Sequence, residues 1–192
     1  MEFTQLENAN VLLKPMDRRD VAGIFAAAYY PEIWSYLPIS VESEEDVEKY
    51  VASALLAKQQ EKEFPFVIID PKTSAIIGST KFMDIDAKHK RLEIGFTWLT
   101  PSYWRTAVNT NCKYLLLQYA FETLGLQRVQ IKTDHENLRS QKAIERIGAI
   151  KEGVLRNHMI RKDGTIRHTV MYSITKEEWP DIKARLEALL GK

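Results

Sequence analysis

The chain has 192 residues, of which 45% are hydrophobic and 28% are charged, and its formal net charge is +1. This length and apolar content suit one well-packed core, so we expect a single domain over residues 1–192. The nearly neutral charge argues against nucleic-acid binding through general phosphate neutralisation. No apolar run reaches the ~18 residues that cross a bilayer, and the start lacks a secretory signal pattern. The one cysteine, Cys112, cannot form an intramolecular disulfide. We therefore expect a cytoplasmic protein with no membrane partner.

The first half of the chain alternates short β-rich runs with helical patterns. Acidic residues precede both helical patterns, where they can cap a helix or favour its N-terminal dipole, and Pro31 ends the first pattern. Residues 70–74 have the composition of a turn and predict a hairpin. The predicted elements are a strand at 11–15, a helix capped by Asp17 or Asp20, a helix from Glu42 to about Gln60, strands at 64–69 and 75–82, and a strand at 91–99.

The strand predicted at 91–99 has two different faces. Its apolar residues occupy alternate positions, as expected of a strand that packs on one side. The small or polar residues between them are predicted to share the other face and to meet something polar. The apolar set is Leu92, Ile94, Phe96 and Trp98, and the other set is Glu93, Gly95 and Thr97.

The helical pattern before Gly125 is the clearest in the chain, and Asn109 or Thr110 is its predicted N-cap. The remaining predicted elements are a strand at 127–133, a helix at 137–147, a hairpin of strands 150–160 and 165–175, and a helix at 177–190. This order predicts an α/β fold, with a mixed sheet and helices on both faces. The crossover over 91–133 should bring Glu93 and the start of the helix that follows it to one end of the sheet.

Four segments together resemble the GNAT superfamily of acyl-CoA-dependent N-acyltransferases, and most closely its RimJ/RimL-like branch of ribosomal-protein alanine acetyltransferases. They are 92–95 on the central strand, the loop 104–110, the segment 119–129, and the segment 137–149. The resemblance covers nearly the whole chain. It implies a GNAT-like fold with a mostly antiparallel mixed sheet, and transfer of an acetyl or other short acyl group from acetyl-CoA to a primary amine.

The resemblance implies that the strand-to-helix loop binds the CoA pyrophosphate through its backbone amides. The family pattern Gln/Arg-x-x-Gly-x-Gly/Ala has Trp104, Ala107 and Asn109 at its defined positions. Ala107 keeps most of a glycine's clearance, and Asn109 tolerates left-handed conformations. An ordinary capped connection, in a member that has lost the cofactor, stays an alternative. The implied cofactor-binding residues are Trp104, Arg105, Thr106, Ala107, Val108, Asn109 and Thr110, with Lys113 as a further candidate for phosphate contact.

Acetyl transfer needs a neutral amine, so a base must remove a proton from an α-amine, whose pKa is ~8, or from a lysine, whose pKa is ~10.4. Glu93 is the candidate base, a role that the resemblance also implies. Its alternative role is a cross-strand partner for a neighbouring lysine or arginine. By resemblance, the backbone amides of Phe96, Thr97 and Trp98 polarise the thioester carbonyl and pair with the pantetheine arm.

The tyrosine that serves many GNAT enzymes as a general acid is replaced here by Ile144. Ser140 matches the RimJ/RimL-like pattern and is a candidate to protonate the thiolate, while Asn137 would contact the pantetheine arm. The alternative for Asn137 is a helix N-cap, and for Ser140 a first-turn residue that satisfies backbone amides.

The sequence says least about which amine accepts the acetyl group. The resemblance puts Trp34 and Tyr36 on the acceptor side, with the locally basic C-terminal hairpin, although aromatic residues often belong to a core and basic strand residues are usually solvated. The four histidines have no i, i+4 pair and no cysteine partner, so we predict no metal. The candidate acceptors are a protein N-terminal α-amine and a small amine such as an aminoglycoside or polyamine. A non-catalytic CoA-binding module is the second class of function, and a homodimer is an expected assembly.

Overall fold

The computed structural model describes residues 2–191, which form an eight-stranded sheet flanked by five α-helices. The strands are β1 (Leu6–Glu7), β2 (Leu12–Pro15), β3 (Phe64–Ile69), β4 (Ile76–Asp86), β5 (Arg91–Leu99), β6 (Arg128–Asp134), β7 (Ile150–Ile160) and β8 (Ile166–Thr175). The helices are α1 (Val21–Ala28), α2 (Glu44–Gln59), α3 (Val108–Gln118), α4 (Leu138–Arg146) and α5 (Trp179–Leu190). Among these residues, no helix is long and apolar enough to cross a membrane.

The strands lie in the order β1-β2-β3-β4-β5-β6-β8-β7. Every neighbouring pair is antiparallel except β5 and β6, which are parallel and are connected through α3. The predicted α/β class, with a mostly antiparallel mixed sheet and helices on both faces, is therefore confirmed. The parallel pair matters for function because it is the one place where a crossover helix begins beside the carboxyl end of a central strand.

Reciprocal capping boxes fix the starts of the first two helical regions. Asp17 and Asp20 cap a short 3₁₀ turn that leads into α1. At α2, the Ser43 hydroxyl accepts from the Asp46 amide, and the Asp46 carboxylate accepts from the Ser43 amide. These pairs satisfy amides that the first helical turn leaves free. They also explain why α2 begins two residues later than the sequence pattern predicted.

The alternation predicted for β5 is broken at Phe96, where φ is +50° and the register with β4 shifts. Before this bulge, Leu92 and Ile94 belong to the core under α3, α4 and α5. After it, Trp98 belongs to the other core, under α1 and α2, and Phe96 packs against that second core. The expectation that Leu92, Ile94, Phe96 and Trp98 share one face is therefore wrong, because a bulge inserts one residue and reverses the faces beyond it.

The start of α3 also differs from the sequence prediction. The helix begins at Val108, and its N-cap is Ala107, which provides no side-chain hydrogen bond. Asn109 and Thr110 lie in the first turn, so neither is the cap. The helix continues through a π-helical turn, Tyr119–Thr123, in which the Leu124 amide donates to the Tyr119 carbonyl, and it ends before Gly125 at φ +62°.

Candidate active site

A gap opens between β5 and β6, the parallel strands at the centre of the sheet. The strands pair only at Arg91, Leu92 and Glu93, opposite Arg128, Val129 and Gln130. Beyond Glu93, β5 follows β4 while β6 follows β8. The backbone groups of residues 94–99 on the β6 side consequently have no strand partner in the described part of the chain. An extended ligand can pair with them, as a third strand would.

Glu93 lies at the vertex of this gap and is 1% exposed. Its Oε2 atom accepts from Lys132 Nζ at 2.9 Å and from Gln130 Nε2 at 3.2 Å. No described residue donates to Oε1, which lies close over Gly95: a Cβ added at Gly95 would be 2.7 Å from it. The cross-strand partnership anticipated as an alternative thus exists. It occupies one carboxylate oxygen and leaves the other for a ligand.

Lys113 of α3 reaches the same central region from the opposite face. The residue is 6% exposed, and its Nζ donates to Thr97 Oγ1 at 2.9 Å, which in turn bonds Thr80 Oγ1 at 2.8 Å. Burial lowers the pKa of Lys113 from 10.5 to about 8. The suggestion that Lys113 contacts phosphate is wrong in this structure, because its side chain points into the sheet rather than beyond the helix N-terminus.

The loop before α3 leaves two amides at the helix N-terminus, those of Asn109 and Thr110, without a partner among the described residues. The Thr106 hydroxyl donates to the Tyr103 carbonyl at 2.7 Å, and the helical ladder begins with the Asn111 amide donating to the Ala107 carbonyl. The amides of Asn109 and Thr110 therefore precede the first helical bond. Thr106 Oγ1 accepts from the Val108 amide at 3.3 Å, but Ala107 provides no side-chain cap, so the amides of Asn109 and Thr110 stay available and the loop suits a pyrophosphate despite its altered glycine positions.

Trp104 connects this loop to the start of α4. Its Nε1 donates to the Leu99 carbonyl at 2.8 Å, and the Arg139 guanidinium lies 4.0 Å above its ring. Arg105 is exposed, with φ +62°. Thr110 is buried and accepts from Arg146 Nη2 at 2.8 Å, so its hydroxyl holds α4 rather than facing solvent. Sequence reasoning missed Arg139, since nothing in the local pattern indicates that α4 begins beside the loop.

Asn137 is the N-cap of α4, with its Oδ1 accepting from the Ser140 amide at 3.0 Å. This is the capping role considered for Asn137 as an alternative, and it leaves the Nδ2 donors free for a ligand in the described structure. Ser140 is half-buried, and its hydroxyl makes no hydrogen bond to a described residue. Ile144 is buried in the core and offers no proton donor.

The two aromatic residues predicted on the acceptor side differ in exposure. Trp34 is 1% exposed, packs on Trp98 with ring centroids 5.4 Å apart, and donates from Nε1 to the Ala28 carbonyl. Its indole offers no surface to an acceptor, so that prediction is corrected to a core role. Tyr36 is exposed, and its hydroxyl lies 3.5 Å from the Glu136 carbonyl, so the prediction stands for Tyr36 alone.

A cavity of about 410 Å³ lies between α2 and the central strands. Tyr50 and Phe96 form a stacked pair in its wall, and Lys81 bonds Glu63 at 2.8 Å beside them. Met83, which pairs with Glu93 in the sheet register, also lines it. The cavity therefore extends to the strand position next to Glu93. Its mixed apolar and charged wall suits an acceptor side chain.

Two basic residues of the C-terminal hairpin, Arg161 and Lys162, are bonded to side chains of other elements. Arg161 donates to both oxygens of Asp134, at 2.8 and 2.9 Å, and Lys162 Nζ donates to Ser40 Oγ at 2.8 Å. Sequence patterns could not reveal these partners, which lie 27 and 122 residues away.

Within residues 2–191, no group of three or more metal-ligating side chains is present. Cys112 is buried, and its burial raises the pKa of the thiol to about 12.

A family model, two sequence relatives and a solved structure that resemble this chain are all described as acetyltransferases. Residues 10–150 match the family model described as an acetyltransferase (GNAT) domain. YoaA of Bacillus subtilis strain 168, an uncharacterised N-acetyltransferase, is 29% identical over 175 residues, or 91% of this chain and 98% of YoaA. YdaF of the same strain, provisionally named a ribosomal N-acetyltransferase, is 31% identical over 105 residues, or 55% of this chain and 56% of YdaF. A GCN5-related N-acetyltransferase from Brucella melitensis has a TM-score of 0.92 and 28% identity, covering 99% of this chain and 86% of that one.

Proposed function

Because the chain belongs to the GNAT family and is an acyl-CoA-dependent N-acetyltransferase, we propose that it acetylates the α-amine of a protein or peptide N-terminus. The amine attacks the thioester directly, and Glu93 removes its proton. One observation carries this proposal: the carboxylate of Glu93 lies at the vertex of the β5–β6 gap, with Oε2 bonded and Oε1 without a described donor. A small-molecule amine is the alternative acceptor.

Acetyl-CoA supplies an acetyl group activated as a thioester. The backbone amides at the start of α3, together with those of Thr106 and Ala107, would hold its pyrophosphate. Arg105 and Arg139 would add positive charge on either side of the loop. The unpaired β5 backbone at residues 96–98 would bond the pantetheine arm and polarise the carbonyl, and the Asn137 Nδ2 donors would contact the same arm.

Proton movement can be assigned to named side chains. Lys132 and Gln130 fix one oxygen of Glu93, which keeps the other oriented over Gly95. That oxygen accepts the proton of the attacking amine, directly or through one water. The Ser140 hydroxyl, free of bonds to described residues, donates to the leaving thiolate, the role that a tyrosine at position 144 would otherwise fill.

An N-terminal α-amine suits the acceptor side better than an internal lysine does. The pKa of an α-amine is ~8 and that of a lysine is ~10.4, so a carboxylate base removes a proton more easily from the α-amine at neutral pH. The helices α1 and α2 pack against β4 and β3, and the larger cavity beside α2 would take the first side chain of a peptide. The partial likeness to YdaF, provisionally named a ribosomal N-acetyltransferase, supports a protein acceptor. A cytoplasmic location and a homodimer stay predictions.

An acceptor screen tests the proposal. Thiol release from acetyl-CoA is measured with peptides that begin with Ala, Ser or Met, with the same peptides already acetylated at the N-terminus, and with spermidine and an aminoglycoside. We expect kcat/KM for at least one free peptide to exceed that of the small amines by about tenfold or more, and the blocked peptides to be inactive. Turnover confined to the polyamine or aminoglycoside would replace the proposal with its alternative.

A further inference from the structure

Arg167 of β8 is a buried guanidinium whose hydrogen-bonding capacity is unused. Its side chain is 12% exposed, and its Nε atom is buried with no hydrogen-bond partner among the described residues. The nearest carboxylate oxygen, Asp134 Oδ2, lies 3.9 Å from Nε, which offsets charge but is too long for a hydrogen bond. A buried charged group without its hydrogen bonds is costly, so the site favours a partner for Arg167.

Asp134 already neutralises a different guanidinium. Arg161 Nε and Nη2 occupy its two oxygens at 2.8 and 2.9 Å, and the Glu136 amide donates to Oδ1 at 3.0 Å. Arg161 is thus the guanidinium that Asp134 neutralises in bidentate fashion. Arg167 remains as a second cation, with a planar set of donors that matches an incoming carboxylate.

A small cavity beside Arg167 is large enough for such a group. Its volume is about 50 Å³, and its lining includes Tyr36, Arg161, Lys162, Asp163 and Arg167. About 10–15 Å³ of such cavity volume is enough for one water, so the cavity has room for a carboxylate. Three of these residues are cations, whereas the one lining carboxylate, Asp163, already accepts from the amide and hydroxyl of Thr165. The cavity is therefore suited to an anion.

The cavity is connected to the reacting centre through side chains of β6. Asp134, next to Arg167, is two positions beyond Lys132 on β6, and alternation puts both side chains on one face of the sheet. Lys132 bonds Glu93. Lys132 and Asp134, which are the respective neighbours of Glu93 and Arg167, are ~7 Å apart along the strand, a spacing comparable with that between the α-nitrogen of a peptide and a carboxylate on its second residue.

We propose that Arg167 binds a carboxylate of the acceptor, so that the preferred substrate is an amine with a carboxylate one residue away from its α-nitrogen. This rests on the proposed function and specifies its substrate class. The carboxylate can come from an acidic second side chain or from the C-terminus of a free dipeptide. Tyr36, at the entrance to the cavity, would pack against the intervening backbone.

Paired substrates test the proposal on the unaltered enzyme. Ala-Asp-Ala-amide is compared with Ala-Asn-Ala-amide, and Ala-Ala with Ala-Ala-amide, by initial rates with saturating acetyl-CoA. We expect kcat/KM to be about 10- to 100-fold higher for the acid in at least one pair, mostly through KM. The pair that responds identifies the source of the carboxylate.

Variants then assign the preference to Arg167. In Arg167→Gln the acid-to-amide ratio should fall to about one, and in Arg167→Lys it should be intermediate, because lysine keeps the charge without the bidentate geometry. Arg156→Gln, on the exposed neighbouring strand, is the matched control and should keep the full ratio.

The outcomes also separate this proposal from the one on which it depends. Equal rates for acid and amide on the unaltered enzyme, with clear turnover of both, would overturn the Arg167 proposal and leave N-terminal acetylation intact. A full acid preference in a folded Arg167→Gln variant would overturn it as well. Failure of every amine would instead refute the proposed function.

Discussion

Replacement of Glu93 by glutamine is expected to lower kcat by about 100- to 10,000-fold, and to leave the affinity for acetyl-CoA within a few-fold of wild type. The amide has the same shape and can still accept from Lys132, so the gap keeps its geometry, but it cannot take a proton from the amine. Stopped-flow or coupled measurement of thiol release gives kcat, and calorimetry gives affinity. The defect should shrink as pH rises toward the pKa of the acceptor, where free amine no longer needs a base.

Glu122→Gln is the matched control for this substitution. Glu122 is also a carboxylate paired with a lysine, Lys183, at 2.9 Å, and it lies in the π-helical turn after α3, away from both the β5–β6 gap and the larger cavity. The activity of this variant should stay within a few-fold of wild type. Equal losses in the two variants, or a pH-independent loss in Glu93→Gln, would mean that Glu93 acts only as a structural ion-pair partner.

Replacement of Lys113 by methionine is expected to raise the free energy of unfolding at neutral pH by about 2–3 kcal/mol. Burial lowers the pKa of Lys113 from 10.5 to about 8, and each tenfold change in a proton-binding constant corresponds to ~1.4 kcal/mol. Loss of the hydrogen bond to Thr97 should reduce this stabilisation by about 1 kcal/mol. Methionine fills nearly the same volume and carries no charge to desolvate.

The stability difference between Lys113→Met and wild type should decrease as pH rises. Between pH 8 and 10.5 the unfolded chain binds the lysine proton and the folded chain does not, so wild-type stability gains from this group as pH rises. The advantage of Lys113→Met should therefore be full below pH 8 and be lost before pH 10.5, where the missing bond to Thr97 makes the variant slightly less stable than wild type. Denaturant unfolding at several pH values measures it, with exposed Lys88→Met as control. An advantage of constant size across this range would contradict a buried, titrating Lys113.

Most of the architecture could be predicted from sequence because local patterns determine it. β5 was predicted with its observed bounds, Arg91–Leu99, and the hairpin of β7 and β8 nearly so. Alternating apolar residues, capping residues and turn composition act within a few positions of one another, and tertiary packing reinforces them here. The gap beside Glu93 was expected only through family resemblance, since strand separation leaves no local signature.

The sequence predictions that were wrong have one physical cause: the conformation or burial of those residues depends on partners far away in the sequence. The bulge at Phe96 is a backbone feature that apolar spacing conceals, and it moved Thr97 to the face where Lys113 bonds it. Trp34 looked like a contact residue because its burial depends on packing against Trp98, 64 positions away. The Asp134–Arg161 pair was invisible for the same reason.

Calorimetric titration of acetyl-CoA into wild-type protein and into Asn109→Asp tests the central claim most directly. The aspartate is isosteric and favours the first turn of α3 through the helix dipole, so it should not destabilise the fold, yet it opposes a pyrophosphate at that helix end. Asn10→Asp, at an exposed position outside the loop, has the same change in net charge and serves as control. We predict one site per chain with a Kd on the order of micromolar, at least about tenfold weaker binding in Asn109→Asp, and unchanged binding in Asn10→Asp. Absence of binding to wild type at millimolar acetyl-CoA, or equal affinity in all three proteins, would contradict the assignment of this loop as the cofactor site.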